Sequence, residues 1–109
     1  MTNKQEYDFN ATVWEWEGKG AWYFLTVPRD ESDDIDFAAM GMKGGWGSVR
    51  VTVTIGNTTW CTSVFPDGKR NAYILPVKAA VRKAEGIDAG SEVSVHLALG
   101  APDAPKKKR

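Results

Sequence analysis

From Val49 to Ile55 the chain alternates without a break: Val49, Val51, Val53 and Ile55 are apolar, while Arg50, Thr52 and Thr54 are polar. Alternation with a period of two sends successive side chains to opposite faces, so this run predicts a half-buried strand. Gly56-Asn57 follows, a strong two-residue turn signal, and alternation resumes over residues 58–65. Such a turn sets Ile55 opposite Thr58, Val53 opposite Trp60, Val51 opposite Thr62 and Val49 opposite Val64. Trp60, Thr62 and Val64 are then expected on the core side. Cys61, Ser63 and Phe65 are expected on the outer face with Arg50.

The same pattern predicts the other elements. Residues 7–16 read as a strand with Tyr7, Phe9, Ala11 and Val13 on one face and Asp8, Asn10 and Thr12 on the other. Trp14 and Trp16 fall on that second face, so its far end is expected to be covered. Gly18-Lys19-Gly20 is a turn. Residues 21–27, AWYFLTV, are apolar on both faces, which suits a strand sandwiched in a closed barrel, and Pro28 ends it. Residues 30–40 put acids ahead of an apolar segment and predict a short helix with Ser32 or Asp33 as its N-cap. Ile35, Ala38 and Ala39 are its packed face. The same acids lack the glycine and bidentate glutamate of a calcium loop. Gly44 to Gly47 is a loop. Pro66-Asp67-Gly68 is a turn with Lys69 and Arg70 at its edge, and Ala72 to Leu75 is a short strand. Pro76 is placed to open a second helix with Val77, Ala80, Val81 and Ala84 as its apolar stripe. Lys78 and Arg82 lie on another face of that helix and Gly86 caps it. A last strand alternates Val93, Val95, Leu97 and Leu99 with Glu92, Ser94, His96 and Ala98. The expected fold is mainly β: a small closed or half-closed barrel of about six strands capped by one or two short helices.

Composition changes this picture only at the margins. At 109 residues the chain is one domain, expected over residues 7–99, between a frayed segment 1–6 and a disordered basic tail 100–109. Lys plus Arg and Asp plus Glu are 14 each, yet four of the cations are Lys106, Lys107, Lys108 and Arg109. Residues 1–105 carry 10 cations against 14 anions, a net charge of −4, which is a poor electrostatic start for nucleic acid. The single cysteine, Cys61, leaves no internal disulfide and no multi-cysteine zinc site. No N-terminal run resembles a signal peptide, and no stretch approaches the roughly 20 apolar residues of a membrane span. The expectation is a cytoplasmic protein that does not engage a membrane, with a monomer slightly favoured.

Two segments carry a resemblance. IGNTTWCTSVFP followed by YILPVKAAVRKAEGIDAGSEVSVHL resembles the bacterial domain-of-unknown-function family 1905, and WYFLTVP at residues 22–28 resembles that family's early strand. The likeness spans about residues 7–99 and implies a small barrel capped by helices. Some relatives fuse this domain to a second one named for bacteriocin protection, which this sequence does not contain. The resemblance transfers no catalytic or ligand-binding residue. A shorter likeness, over residues 75–97, is to the looped-hinge-helix motif of AbrB-like regulators and MazE-like antitoxins. It implies a related barrel topology, although Ser91 stands where those proteins usually have Asp.

Candidate chemistry is sparse. His96 is the sole histidine and alternates with solvent-type positions, so an incidental role outweighs that of a general base. Cys61 on a strand reads as a small hydrophobe before it reads as a nucleophile. No catalytic residue, cofactor-binding residue or metal ligand is assigned, and no cofactor is expected. Trp46 in a glycine-rich loop is the tryptophan placed to meet a ligand, and Arg50, Arg70, Lys78 and Arg82 are the cations able to hold an anion beside it. The sequence therefore favours a non-enzymatic module that binds a small molecule or a protein. A DNA-binding barrel is the alternative, and an enzyme of unknown class comes third.

Overall fold

In the computed structural model, described for residues 5–18, 20–41 and 43–100, six antiparallel strands close into a barrel. They are β1 (Glu6–Glu15), β2 (Tyr23–Thr26), β3 (Val49–Ile55), β4 (Thr58–Asp67), β5 (Ala72–Pro76) and β6 (Glu92–Leu99). The order around the barrel is β1-β2-β5-β4-β3-β6. Helix α1 (Arg29–Ala38) lies between β2 and β3, with one 3-10 turn at Gly45–Gly47, and helix α2 (Ala79–Glu85) lies between β5 and β6. The expectations for residues 1–4 and 101–109 lie outside the described residues. Gln5, Glu6 and Gly100, expected in the loose termini, are tied into the sheet: Leu99 N–H donates to the Gln5 carbonyl at 2.9 Å, and Gly100 N–H to the Arg50 carbonyl at 2.7 Å.

The β3–β4 hairpin has the expected register, with Val49 facing Val64, Val53 facing Trp60 and Ile55 facing Thr58. Val49, Val51, Val53, Ile55, Trp60 and Val64 are buried, and Cys61 and Phe65 lie outside. Tyr7, Val13, Leu25, Tyr73, Leu75, Val95 and Leu97 complete a filled interior. Among the described residues these side chains form one buried cluster between the strands.

The turn glycine at position 56 is doubly constrained. It takes a left-handed φ of +59°, and a Cβ there would collide with the Glu85 carboxylate. That carboxylate accepts from Thr58 Oγ1 at 2.5 Å and from the Asn57 N–H at 3.2 Å, tying α2 to the hairpin.

Several boundaries differ from the sequence reading. Helix α1 starts at Arg29, with Pro28 rather than Ser32 or Asp33 at the cap, and without a side-chain cap. Pro28 supplies the break itself, so the helix begins before its acids. Asp30 and Glu31 fall in the first turn, favourable for the helix dipole. Ser32 becomes a buried interior residue instead. Its hydroxyl donates to the Val27 carbonyl at 3.0 Å and accepts the Tyr73 N–H at 2.9 Å. Since Val27 N–H donates to the Tyr73 carbonyl at 2.9 Å, Ser32 bridges the second rung of a rung pair that the departing chain has opened. β4 runs through Pro66 to Asp67, so the turn shifts to residues 68–71, where Asn71 takes a φ of +53°. Pro76 ends β5 opposite Phe24 instead of opening α2, which starts at Ala79 with Lys78 as its cap. Ala80 and Ala84 are exposed; Val77 before the helix and Val81 within it are the buried anchors, and Gly86 caps the end with a φ of +65°.

The two arcs of the barrel wall present different outer faces. On the β1–β6–β3–β4 arc the outward groups are polar and paired. His96 Nδ1 meets Asp8 at 2.8 Å, Ser94 donates to Asn10 at 2.9 Å, and the Thr54 and Thr59 hydroxyls meet at 2.9 Å. On the β1–β2–β5–β4 arc, Trp14, Phe24, Ile74 and Phe65 point outward, aligned by the pairings Trp14–Phe24 and Phe65–Ile74. As expected, the AWYFLTV strand is part of a closed barrel, with Leu25 and Val27 buried. The cover expected over the far end of β1 reaches Trp14, which is half-buried beside Arg70, but not Trp16, which is 48% exposed.

Candidate functional site

Two grooves flank the outer end of the β1–β2 hairpin, and each has an arginine guanidinium over an aromatic ring. The first, of about 390 Å³, is lined by Ala21, Trp22, Tyr23, Pro76, Val77, Lys78, Ala79 and Arg82. Local structure sets its shape. Pro76 ends β5, the chain turns through Val77 and Lys78, and α2 then carries Arg82 back over β2. The Arg82 guanidinium lies 3.8 Å from the centre of the Tyr23 ring, and its Nε donates to the Val77 carbonyl at 3.2 Å. The contact with the ring and this bond hold the group in place while leaving its two terminal nitrogens without a protein partner among the described residues. Neither Arg82 nor Lys78 has a carboxylate within 4.0 Å among the described residues. Trp22 forms the apolar wall beside them.

The second groove, of about 700 Å³, is lined by Trp14, Glu15, Trp16, Glu17, Phe24, Pro66, Asp67, Gly68, Lys69, Arg70 and Ile74. Here the Arg70 guanidinium lies 3.9 Å from the Trp14 ring centre and pairs with Asp67 at 2.6 Å. Trp14 stacks at 5.2 Å on Phe24 and donates its Nε1 proton to Thr26 at 2.9 Å. Burial alone would raise the Asp67 pKa, but the bonds from Arg70 and from the Lys69 N–H outweigh it and hold the carboxyl below its ordinary value. Of this groove's two cations, Arg70 is thus already paired.

The five residues expected to form one patch are therefore divided. Lys78 and Arg82 come together, Arg70 stands in the neighbouring groove, and Arg50 sits on β3 and lines neither. The Trp46 side chain lies outside what is described. Trp22 and Tyr23 complete the first groove and were missed. The signal for them was the AWYFLTV run, which is apolar on both faces and so puts aromatic side chains on either side of β2.

Other ionisable clusters belong to the scaffold. Tyr73 donates its phenolic proton to Asp36 at 3.0 Å, and Lys43 pairs with the same carboxylate. These bonds, Lys43 first, hold Asp36 below its ordinary pKa, while burial and then the bond to Asp36 push Tyr73 up. The hydrogen bond to Asp8 raises the His96 pKa, with Glu6 adding to it from 3.3 Å. The Cys61 sulfur is exposed, 3.6 Å from the Thr52 hydroxyl, and β3 runs between it and His96, Cys61 pairing with Thr52 and His96 with Thr54. Among the described residues no group of three or more His, Cys, Asp or Glu side chains is gathered as a metal site, and no helix is long and apolar enough to cross a membrane.

The pattern of the family described as "domain of unknown function (DUF1905)" matches residues 9–97, which takes in the barrel from β1 to β6 and both helices. The chain belongs to this family. A comparison with curated proteins returns no match. Membership of DUF1905, a family of unknown function, names no chemistry for the grooves.

Proposed function

We propose that this DUF1905 chain is a binding module, without catalysis, for a small organic anion that carries a flat apolar body. The observation behind this reading is the pair of uncompensated cations at the first groove. Arg82 is held over Tyr23 with its terminal nitrogens unpartnered among the described residues, Lys78 lies four residues before it, and the exposed Trp22 lines the same groove. A fixed guanidinium suits a carboxylate or phosphate bidentately, and charge-assisted bonds of that kind are the stronger ones. The aromatic wall adds stacking area for a planar ring. The separation of Arg50, Arg70 and the Lys78–Arg82 pair supports a compact anion over a nucleic-acid backbone, which needs one continuous basic face.

A thermal-shift series tests the reading. Benzoate, 2-naphthoate and phenyl phosphate are expected to raise the melting temperature at millimolar concentrations, with acetate and inorganic phosphate weaker. Equal shifts from all five compounds, or none from any, would sink the proposal.

A further inference from the structure

Trp16 and Trp22 form a feature that the anion groove does not explain. The Trp16 N–H donates to the Trp22 carbonyl at 2.8 Å, one step beyond the paired Glu15 and Tyr23. Directly opposed residues of an antiparallel pair project to the same face, with their Cβ atoms about 5 Å apart. Both indoles are thus neighbours on the outside of the hairpin, 48% and 56% exposed. Each is also seated on a glycine. The six-membered ring of Trp16 occupies the place a Cβ of Gly18 would take, and Trp22 Nε1 lies 3.1 Å from that of Gly20. The turn glycines leave room for the Trp16 ring and for the edge of the Trp22 ring, and both side chains stay about half exposed.

The charges around this pair select its occupant. The second groove, which Trp16 joins, carries Glu15, Glu17 and Asp67 against Lys69 and Arg70, with Arg70 and Asp67 already spent on each other. Lys78 and Arg82 lie on the Trp22 side. With carboxylates on one flank and cations on the other, neither an anion nor a cation is favoured across the whole platform. An open pair of rings also lacks the enclosing walls that make an aromatic site strong for an organic cation. A neutral ring with one apolar C–H face and a rim of hydroxyls meets every condition. Its flat face stacks on the indoles, and its hydroxyls donate to Glu15 and Glu17 and accept from Lys69 and from whatever donors of Arg70 remain.

We infer that the Trp16–Trp22 platform with Glu15, Glu17 and Lys69 is a binding site for a neutral saccharide, separate in its chemistry from the anion groove. The test is titration of the full chain with cellotetraose, chitotetraose and maltotetraose, followed by tryptophan fluorescence and by the indole N–H signals in NMR spectra. At least one is expected to bind in the millimolar range or tighter and to shift the Trp16 and Trp22 signals. Trp16→Ala, a change at an exposed position, is expected to weaken that binding at least about tenfold and to leave benzoate binding intact. Arg82→Gln is expected to do the reverse. Trp22→Ala, which touches both sites, is expected to weaken both ligands. The inference is overturned if none of the three tetrasaccharides moves these signals. It is equally overturned if tetramethylammonium or a proline-rich peptide moves them and the saccharides do not. Saccharide binding lost in Arg82→Gln but kept in Trp16→Ala would also overturn it, by placing the sugar in the anion groove.

Discussion

Replacing Ser32 by alanine removes one hydroxyl and strands two backbone groups. Ser32 is 3% exposed, and its Oγ spans the Val27 carbonyl at 3.0 Å and the Tyr73 N–H at 2.9 Å. Those two groups would bond each other if β2 continued beside β5. Pro28 and the start of α1 pull the chain away, and the hydroxyl fills the gap. Without it, a donor and an acceptor lie in the core with no partner, at about 1–3 kcal/mol each. Allowing partial closure of the strands, we expect Ser32→Ala to cost about 2–4 kcal/mol, a large share of the 5–15 kcal/mol typical of a domain. The melting temperature should fall by roughly 10–20 °C. Urea unfolding measures the loss directly, with an unchanged m-value showing that the native state keeps its extent. Ser32→Cys, which keeps a weak donor and acceptor, should fall between wild type and alanine. A loss below about 1 kcal/mol for the alanine variant would show that the rung closes on itself or takes up water, and the bridging argument would be wrong.

Other expectations are shorter. Gly56→Ala should cost about 1–2 kcal/mol for the left-handed backbone, and more where the new methyl displaces Glu85 from Thr58 and Asn57; equilibrium unfolding with Glu85→Ala as a second variant separates the two parts. Val81→Ala empties the one buried position of α2, so we expect a loss of about 2 kcal/mol, together with weaker anion binding because Arg82 rides on that helix. The His96 pKa is raised in the folded state by Asp8 first and by Glu6, so the protonated form stabilises the fold. That contribution is complete below the ordinary value near 6.5 and is lost as pH rises through the higher folded value. Melting curves of wild type and Asp8→Asn should therefore differ most near pH 5.5 and converge towards pH 8.5; parallel curves would refute the assignment.

Much of the barrel was legible because a strand's period is two and a Gly-Asn turn fixes register, which is why Val53 meets Trp60 as the alternation requires. The helix starts were less legible. Acids and a serine in one segment fit an N-cap by local rules, but Pro28 had already broken the chain four residues earlier, and Ser32 was needed by β2 and β5. Pro76 fits the first turn of a helix equally well locally. Its place as the last residue of β5, opposite Phe24, depends on a strand 50 residues away. The covered second face expected for Trp14 and Trp16 holds at Trp14, which Arg70 and Phe24 cover, and fails at Trp16, because the pattern of one strand does not show which distant side chains reach its end. Of the site, the four-residue spacing of Lys78 and Arg82 was visible, whereas their convergence with Trp22 and Tyr23 follows only from β2 pairing with β5. Arg70 is drawn away from them by Asp67, three residues before it, and by Trp14, which β1 brings from far away in the sequence.

The central claim is that Arg82, held over Tyr23, anchors an anion against Trp22. Its most direct test is an NMR titration with benzoate of isotopically labelled wild type and Arg82→Gln. The account predicts that benzoate shifts the Trp22 indole N–H and the backbone signals of residues 77–82 in a saturable way, and that Arg82→Gln weakens the binding at least about tenfold while the remaining spectrum is preserved. Shifts confined to other parts of the barrel, or an affinity unchanged in Arg82→Gln, would contradict it.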